Sequence, residues 1–137
     1  MEPTDDRPNL DGVEFKSISQ QDNSHLVAPF EEGEVKAAVW ECGSMKSSGP
    51  DGLNFKFIKE FWNVMKMDVM HFLGEFYANE IFPRGSNALF IALIPKVHDP
   101  QGLNEYISIS LIGCIYKIVD KILSSGLKKV LPGIIDE

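Results

Sequence analysis

The stretch from residue 89 to residue 111, LFIALIPKVHDPQGLNEYISISL, most constrains what this chain can fold into. Its first six residues, Leu89 to Ile94, are apolar and rich in branched side chains, which is typical of a buried strand. Pro95 lacks a backbone donor, so this strand ends there or lies at a sheet edge. After a turn-rich connector, residues 107–110 alternate apolar and polar side chains, as a half-buried strand does. We therefore predict two short strands joined by a finger-like connection that carries Lys96, and a basic finger of this kind favours a phosphate-bearing ligand.

The size and charge of the chain limit its function. Its 137 residues fit one domain at most, and a hydrophobic content of 44% is enough to build a core. The formal net charge is −7, with a strongly acidic stretch at residues 1–34 and four lysines against one aspartate at residues 107–131. Because affinity for nucleic acid depends on neutralising phosphates, a net acidic chain is a poor free-standing nucleic-acid binder. The uneven distribution allows one local basic surface.

The cysteines and the N-terminus bear on the compartment. Cys42 and Cys114 lie far apart in apolar surroundings, which predicts buried free thiols. The N-terminus is acidic and lacks the apolar region of a signal peptide, and no apolar run approaches the roughly 18 residues of a membrane span. We therefore expect an intracellular protein, nuclear or cytoplasmic, that is neither secreted nor embedded in a membrane.

Three segments, residues 31–44, 54–80 and 113–131, have the apolar spacing of amphipathic helices. In the second segment, Asn54 is a candidate N-cap and Asp68 is a candidate restart after a break. The predicted apolar stripes of the three helices consist, in order, of Val35, Ala38, Val39 and Cys42; of Ile58, Phe61, Trp62, Met65, Val69, Phe72, Leu73 and Phe76; and of Ile115, Ile118, Val119, Ile122, Leu123, Leu127, Val130 and Leu131.

Residues 1–29 are polar, contain three prolines and show little periodicity. This composition predicts a mostly disordered N-terminal linker with a candidate short strand at Val13–Phe15. The folded domain is then expected over residues 30–137. Its predicted fold class is α+β, mostly α, with three main helices and a two-stranded β element. Two apolar helices are expected to pack together over the strands.

The loop Lys46–Gly52, KSSGPDG, contains a Pro-Asp-Gly turn between two predicted helices. Backbone N–H groups near Gly49 and Gly52, beside Lys46, have the arrangement of loops that hold a phosphate. A tight connector between two helices has the same composition. The residues alone leave both interpretations open.

The last predicted helix has a basic face opposite its apolar stripe. Lys117, Lys121 and Lys128 recur there four and seven positions apart. A solvated charged face accounts for this spacing, and so does a basic surface beside a nucleic-acid duplex.

Several motifs follow one another in an order that is similar to a known family. They are AVWECGSMKSSGPDGLNFKFIKEFW, IALIPKV, DPQ, NEYxxISLIG, YKIVxKIL and LKKVLP. Their order and spacing resemble the fingers subdomain of the reverse transcriptases of plant LINE-type (non-LTR) retrotransposons, over roughly residues 11–137. The resemblance implies a fragment of an RNA-directed DNA polymerase, a partial fingers subdomain that ends before the catalytic palm.

The resemblance also implies which residues contact substrate. Lys96 matches the lysine of the family's Ile-Pro-Lys motif and is the candidate for the phosphates of the incoming nucleotide, where it would act as a point charge. The RNA template or DNA would be the nucleic-acid partner. The candidate template contacts are Lys46, Gly49, Pro50, Asp51 and Gly52, and the basic helix face that would lie beside the template–primer duplex consists of Lys117, Lys121 and Lys128.

The chain departs from the family pattern at several positions. Ser48 replaces a Pro, Ile107 and Ser108 replace an Arg and a Pro, and Gly126 replaces a basic residue. The lost Arg matters because a guanidinium holds phosphate through two parallel hydrogen bonds. The family's two-metal chemistry needs an Asp downstream of the fingers and a Tyr-x-Asp-Asp hairpin, and neither motif occurs in this sequence. We expect no bound cofactor, although the full family enzyme would use Mg, and no polymerase activity from the chain alone.

Two further function classes stay open beside this one. The first is a non-catalytic nucleic-acid-binding module, and the second is a helical protein-interaction module unrelated to polymerases. With the palm absent, part of the apolar surface is expected to be exposed and prone to aggregation.

Overall fold

The computed structural model describes Gly12 and residues 16–135. The candidate strand at Val13–Phe15 lies outside the described residues. In chain order, the helices and strands are α1 (Gln20–Leu26), α2 (Glu32–Glu41), α3 (Phe55–Glu60), α4 (Trp62–Asn79), β1 (Leu89–Pro95), β2 (Tyr106–Ile112) and α5 (Cys114–Val130), with single 3-10 turns at Leu103–Glu105 and Leu131–Gly133.

The two predicted strands form an antiparallel hairpin. Leu89 lies opposite Ile112, and Pro95 lies opposite Tyr106, so the pairing is continuous over seven residues of each strand. β1 ends at Pro95 and lies at a sheet edge, in agreement with the prediction made from the missing backbone donor. The predicted α+β class, mostly α, is confirmed.

The position of the hairpin differs from the prediction. In β1 only Ala92 is partly covered, and Ile91 is 65% exposed. The prediction of a buried strand is therefore wrong, as is the prediction that helices pack over the strands. In the described part of the chain the main contacts link β1 with β2 and the helices with one another. An apolar run predicts a strand that can be buried, but it does not specify which other element of the chain would cover it.

The core is formed by the apolar faces of α2 to α5. Val35 and Val39 on α2 meet Ile58 on α3, Leu73 on α4 and Ile118 on α5, all within 1% of complete burial. Each such side chain contributes about 1.5–3 kcal/mol by leaving water. The core positions predicted from helical spacing are thus largely confirmed. The buried core residues are Val35, Ala38, Val39, Phe55, Ile58, Trp62, Val69, Leu73, Cys114, Ile118, Val119 and Ile122.

The end of α5 buries less than its sequence predicts. Leu123 and Leu127 lie in the predicted stripe, yet they are 44% and 48% exposed. The neighbouring helices cover the stripe chiefly at Ile118, Val119 and Ile122. A helical stripe can therefore be wider than the surface that is available to cover it.

The long helix predicted over residues 54–80 is two helices. Asn54 caps α3 as predicted, since its Oδ1 accepts from the N–H of Phe57 at 2.9 Å. The break lies at Phe61, which has φ −100° and ψ 21°, and not at Asp68. Phe61 is half-exposed and packs on Phe57 with ring centroids 4.7 Å apart, so its predicted place in the buried stripe is wrong.

Helix α1 lies within the segment predicted to be a linker and was not expected. Ser19 caps it, because its Oγ accepts from the N–H of Asp22 at 3.1 Å. The Tyr77 hydroxyl donates to the carbonyl of Val27 at 3.0 Å, and the Phe30 ring packs on α4 just beyond. These contacts attach the segment to the core, and a polar heptapeptide has no apolar periodicity from which they could be read.

None of the helices in the described part of the chain combines the length and apolar character needed to cross a bilayer.

Candidate functional site

The Gly-Pro-Asp-Gly loop is a closed turn pressed against another part of the chain. The N–H of Gly52 donates to the carbonyl of Gly49 at 3.0 Å, and Gly52 has a left-handed φ of +69°. Gly49 is buried against the end of β2, where a Cβ would lie 2.5 Å from the backbone nitrogen of Gly113 and 2.6 Å from the carbonyl oxygen of Ile112. Only glycine permits this approach.

Asp51 connects the loop to α5. One oxygen, Oδ1, accepts from the N–H of Leu53 at 3.1 Å, as in an Asx turn. The other, Oδ2, accepts from the N–H of Cys114, the first residue of α5. A carboxylate at this position satisfies an unpaired donor and interacts favourably with the positive end of the helix dipole. The Asp51 side chain therefore caps the start of α5, whose N-cap residue is Gly113, from a position 63 residues away from Cys114 in the chain.

Replacing Asp51 with Ala is expected to destabilise the chain by about 1–2 kcal/mol, because α5 loses its cap and the Cys114 N–H loses its partner. The free energy of unfolding from urea titration measures the loss. Asp68→Ala removes an exposed acid from the surface of α4 and is the matched control, with an expected change within about 0.5 kcal/mol. Equal losses in both variants would contradict the capping role.

The phosphate-binding arrangement predicted for this loop is only partly available. The N–H of Gly52 is already used within the turn. Lys46 is exposed, and its side chain runs beside Gly43, where a Cβ would lie 3.4 Å from the Lys46 Cε. The structure thus gives Gly49, Asp51 and Gly52 a role in packing, while the template contact stays a prediction.

Lys96 lies just past β1, at the outer end of the hairpin. Its N–H donates to the carbonyl of Glu105 at 2.7 Å, which extends the strand pairing by one step. Its exposed Nζ donates to the carbonyl of Asn104 at 3.1 Å. The connector is also ordered by Glu105, whose carboxylate accepts from the N–H groups of Gln101 and Gly102. The lysine is therefore held on a structured tip, and its role toward phosphate stays a prediction.

The basic face of α5 is less open than its spacing suggests. Lys121 pairs with Glu41 of α2 at 2.7 Å between Nζ and Oε2. The hydrogen bond and the positive charge of Lys121 lower the pKa of Glu41, and the same pair raises the pKa of Lys121. Lys117 is half-buried and Lys128 is exposed. Lys121 therefore joins α2 to α5, and the role of this face toward a duplex stays a prediction.

Sequence reasoning missed Lys59. Its Nζ donates to the carbonyls of Trp40 and Cys42, at 3.1 and 2.7 Å, and to the hydroxyl of Ser44 at 3.1 Å. A cation here satisfies the unpaired carbonyls at the end of α2 and suits the negative end of its dipole. Lys59 lies within the first quoted motif, but its partners are 15–19 residues away in the chain, so no local signal identifies its role.

The two cysteines are free thiols, as predicted. Burial raises the pKa of the Cys114 thiol to about 11, and the nearby Asp51 carboxylate adds to this effect. Burial also raises the pKa of Cys42. Both side chains are therefore protonated at neutral pH, and a protonated thiol is a poor nucleophile. Cys114 donates instead to the carbonyl of Leu53 at 3.3 Å, a second link between the loop and α5.

Over residues 16–135 no three or more His, Cys, Asp or Glu side chains come together in a group that would hold a metal ion.

The structure is a mostly helical α+β unit with an exposed two-stranded hairpin. No family model matches the sequence. The chain is similar to the Transposon TX1 uncharacterized 149 kDa protein of Xenopus laevis, with 30% identity over 118 residues. Those residues are 86% of this chain and 9% of the relative, so the chain spans a small part of the protein that it matches. The similarity points to a transposon-derived protein.

Proposed function

We propose that this chain is a fingers segment of a reverse transcriptase from a LINE-type retrotransposon, and that it helps a longer enzyme bind template and incoming nucleotide. The observation that carries the proposal is the similarity to a transposon-encoded protein over 86% of the chain. The order of the motifs from the Gly-Pro-Asp-Gly loop to α5 supports the narrower assignment. Because the chain covers 9% of the relative, the proposal concerns only a substrate-binding segment and not the activity of the whole protein.

Within this proposal, each surface has a separate task. Lys96, on the ordered tip of the hairpin, places a positive charge against the phosphates of the incoming nucleotide. Lys46 and the Gly-Pro-Asp-Gly loop lie along the template strand. Lys117 and Lys128 lie beside the template–primer duplex, and Lys121 keeps α5 on α2 through Glu41. The chain therefore positions substrates. The bond-forming chemistry belongs to the carboxylates of the family's downstream Asp and Tyr-x-Asp-Asp motifs, which do not occur in this sequence.

The proposal predicts that the purified chain does not extend a primer. The assay supplies template, primer, deoxynucleotides and magnesium, and measures incorporation against a blank without protein. No incorporation is expected, because the two-metal mechanism needs closely placed carboxylates on rigid strands. Incorporation above the blank that disappears after heat denaturation would overturn the proposed division of labour.

A second prediction concerns binding. At about 50 mM salt, where electrostatic contacts are favoured, the chain is expected to bind a primer–template duplex weakly. The double variant Lys46→Ala with Lys96→Ala is expected to reduce the magnitude of the negative slope of log affinity against log salt by about two. The matched control, Lys36→Ala with Lys56→Ala, removes the same charge from exposed sites outside the proposed interface. A slope that falls equally in both double variants would assign the binding to net charge alone, and complete absence of binding would contradict the substrate-positioning role of the isolated chain.

A further inference from the structure

A groove between α1, α2 and α5 is separate from every surface assigned above. Its volume is about 790 Å³, within the range of about 300–1,000 Å³ in which proteins bind ligands. Each helix contributes residues from a single face. They are Gln21, Asp22, His25 and Leu26 of α1; Glu34, Ala37, Ala38 and Glu41 of α2; and Ile122, Ser125, Gly126, Lys129 and Val130 of α5, joined by Ala28, Pro29 and Glu31 from the connection between α1 and α2.

The floor of this groove is apolar and is kept open by small residues. Ala38, Ile122 and Val130 are buried at its base. Gly126 faces the side chain of Leu26, where an added Cβ would lie at an ordinary contact distance of 3.5 Å. A larger side chain at Gly126 would therefore extend into the space between α1 and α5. The lack of a side chain at Gly126 thus leaves space where the three helices converge.

The rim of the groove is acidic. Four carboxylates line the cavity, at Asp22, Glu31, Glu34 and Glu41, against the single lysine Lys129. Glu41 is neutralised by Lys121, and Asp22 accepts from the hydroxyl of Ser19 at 2.7 Å. Among the described residues, neither Glu31 nor Glu34 has a side-chain hydrogen bond or ion pair. Two uncompensated carboxylates therefore flank the apolar floor.

We propose that this groove binds a basic amphipathic helix of a partner protein. An amphipathic helix presents apolar side chains at i, i+3, i+4 and i+7, and helix-in-groove recognition inserts this stripe into a hydrophobic channel. Lysines or arginines beside the stripe meet Glu31 and Glu34, so the charge at the rim selects cationic helices over acidic ones. The same carboxylates repel phosphate groups, which distinguishes the groove from the nucleic-acid surface proposed above. The inference does not depend on the proposed polymerase role.

The direct test uses a synthetic helical peptide with leucine along one stripe and lysine elsewhere, titrated calorimetrically at about 50 mM salt. Glu31→Gln with Glu34→Gln is expected to weaken binding about five- to tenfold, as the loss of two partly exposed ion pairs implies. Glu60→Gln with Asp68→Asn makes the same change in net charge on exposed positions of α3 and α4, and is expected to leave the affinity within about twofold. Equal weakening in the two double variants would overturn the site.

A second variant tests the floor without touching the charges. Gly126→Leu fills the groove and also raises the helix propensity of α5, so its fold should be retained. It is expected to weaken peptide binding by at least about tenfold, whereas Gly74→Leu, an exposed position of α4 with open space around it, should have no effect. A thermal melt of each variant verifies folding. If folded Gly126→Leu binds as well as the unaltered chain, or if a peptide with glutamine in place of lysine binds equally tightly, the proposal is wrong.

Discussion

A chain carrying Gly49→Ala is expected to lose about 3 kcal/mol of its free energy of unfolding, a large share of the 5–15 kcal/mol typical of a small domain. The added methyl group would lie 2.5 Å from the nitrogen of Gly113 and 2.6 Å from the oxygen of Ile112. Both are backbone atoms, so neither can rotate away as the end of a side chain would. The loop must separate from the junction of β2 and α5, and the cap from Asp51 to Cys114 is lost with it.

The matched control for this substitution is Gly74→Ala. Gly74 lies inside α4 with open space where a Cβ would be, so alanine there should stabilise the helix by about 0.5–1 kcal/mol. Urea titration of both variants gives the two changes with opposite sign, and thermal melting should show a decrease of about 10 °C for Gly49→Ala. If Gly49→Ala melts with the unaltered chain, the loop does not lie against the junction as described.

The second large effect is expected in the core. Ile118→Ala should cost about 3 kcal/mol, because Ile118 is completely buried between the helices and its truncation leaves a cavity. Ile91→Ala makes the same chemical change in β1, where the side chain is 65% exposed. We expect this variant to cost less than about 1 kcal/mol, mostly from reduced strand propensity.

These two isoleucine variants distinguish the observed arrangement from the one that the sequence predicted. A strand buried under helices would make Ile91→Ala nearly as costly as Ile118→Ala. The free energies of unfolding, measured at low protein concentration to limit association through the exposed hairpin, decide between the two arrangements. Comparable losses would show that the hairpin is covered in solution.

Features that depend on neighbouring residues could be predicted from the sequence. The spacing of Val35, Ala38 and Val39 identified the buried face of α2, and the cap at Asn54 identified the start of α3. The strands were predicted because Pro95 and the alternation in residues 107–110 are local signals. In each case the residues that determine the feature lie close together in sequence, within one or two turns of a helix or within one strand.

Features that depend on distant partners could not be predicted. The Asp51 carboxylate caps a helix 63 residues away, and Lys121 pairs with Glu41 of another helix. The motif containing Asp51 was visible, but its interpretation as a phosphate loop or a connector depended on what faced it. The break at Phe61 has a similar cause, because packing of α3 and α4 on α2 overrides a stripe that is continuous in sequence.

The hairpin has a consequence for how this chain behaves in concentrated solution. Its two strands, fourteen residues in all, hold no charged side chain. Within the described part of the chain the sheet ends after two strands, so each strand keeps one edge without a neighbour. Proteins commonly guard such edges with lysine or with a bulge, and here neither interrupts the pairing. Two processes therefore compete during refolding. The rate at which the helical core closes does not depend on protein concentration, whereas the rate at which strands of different molecules pair rises with it.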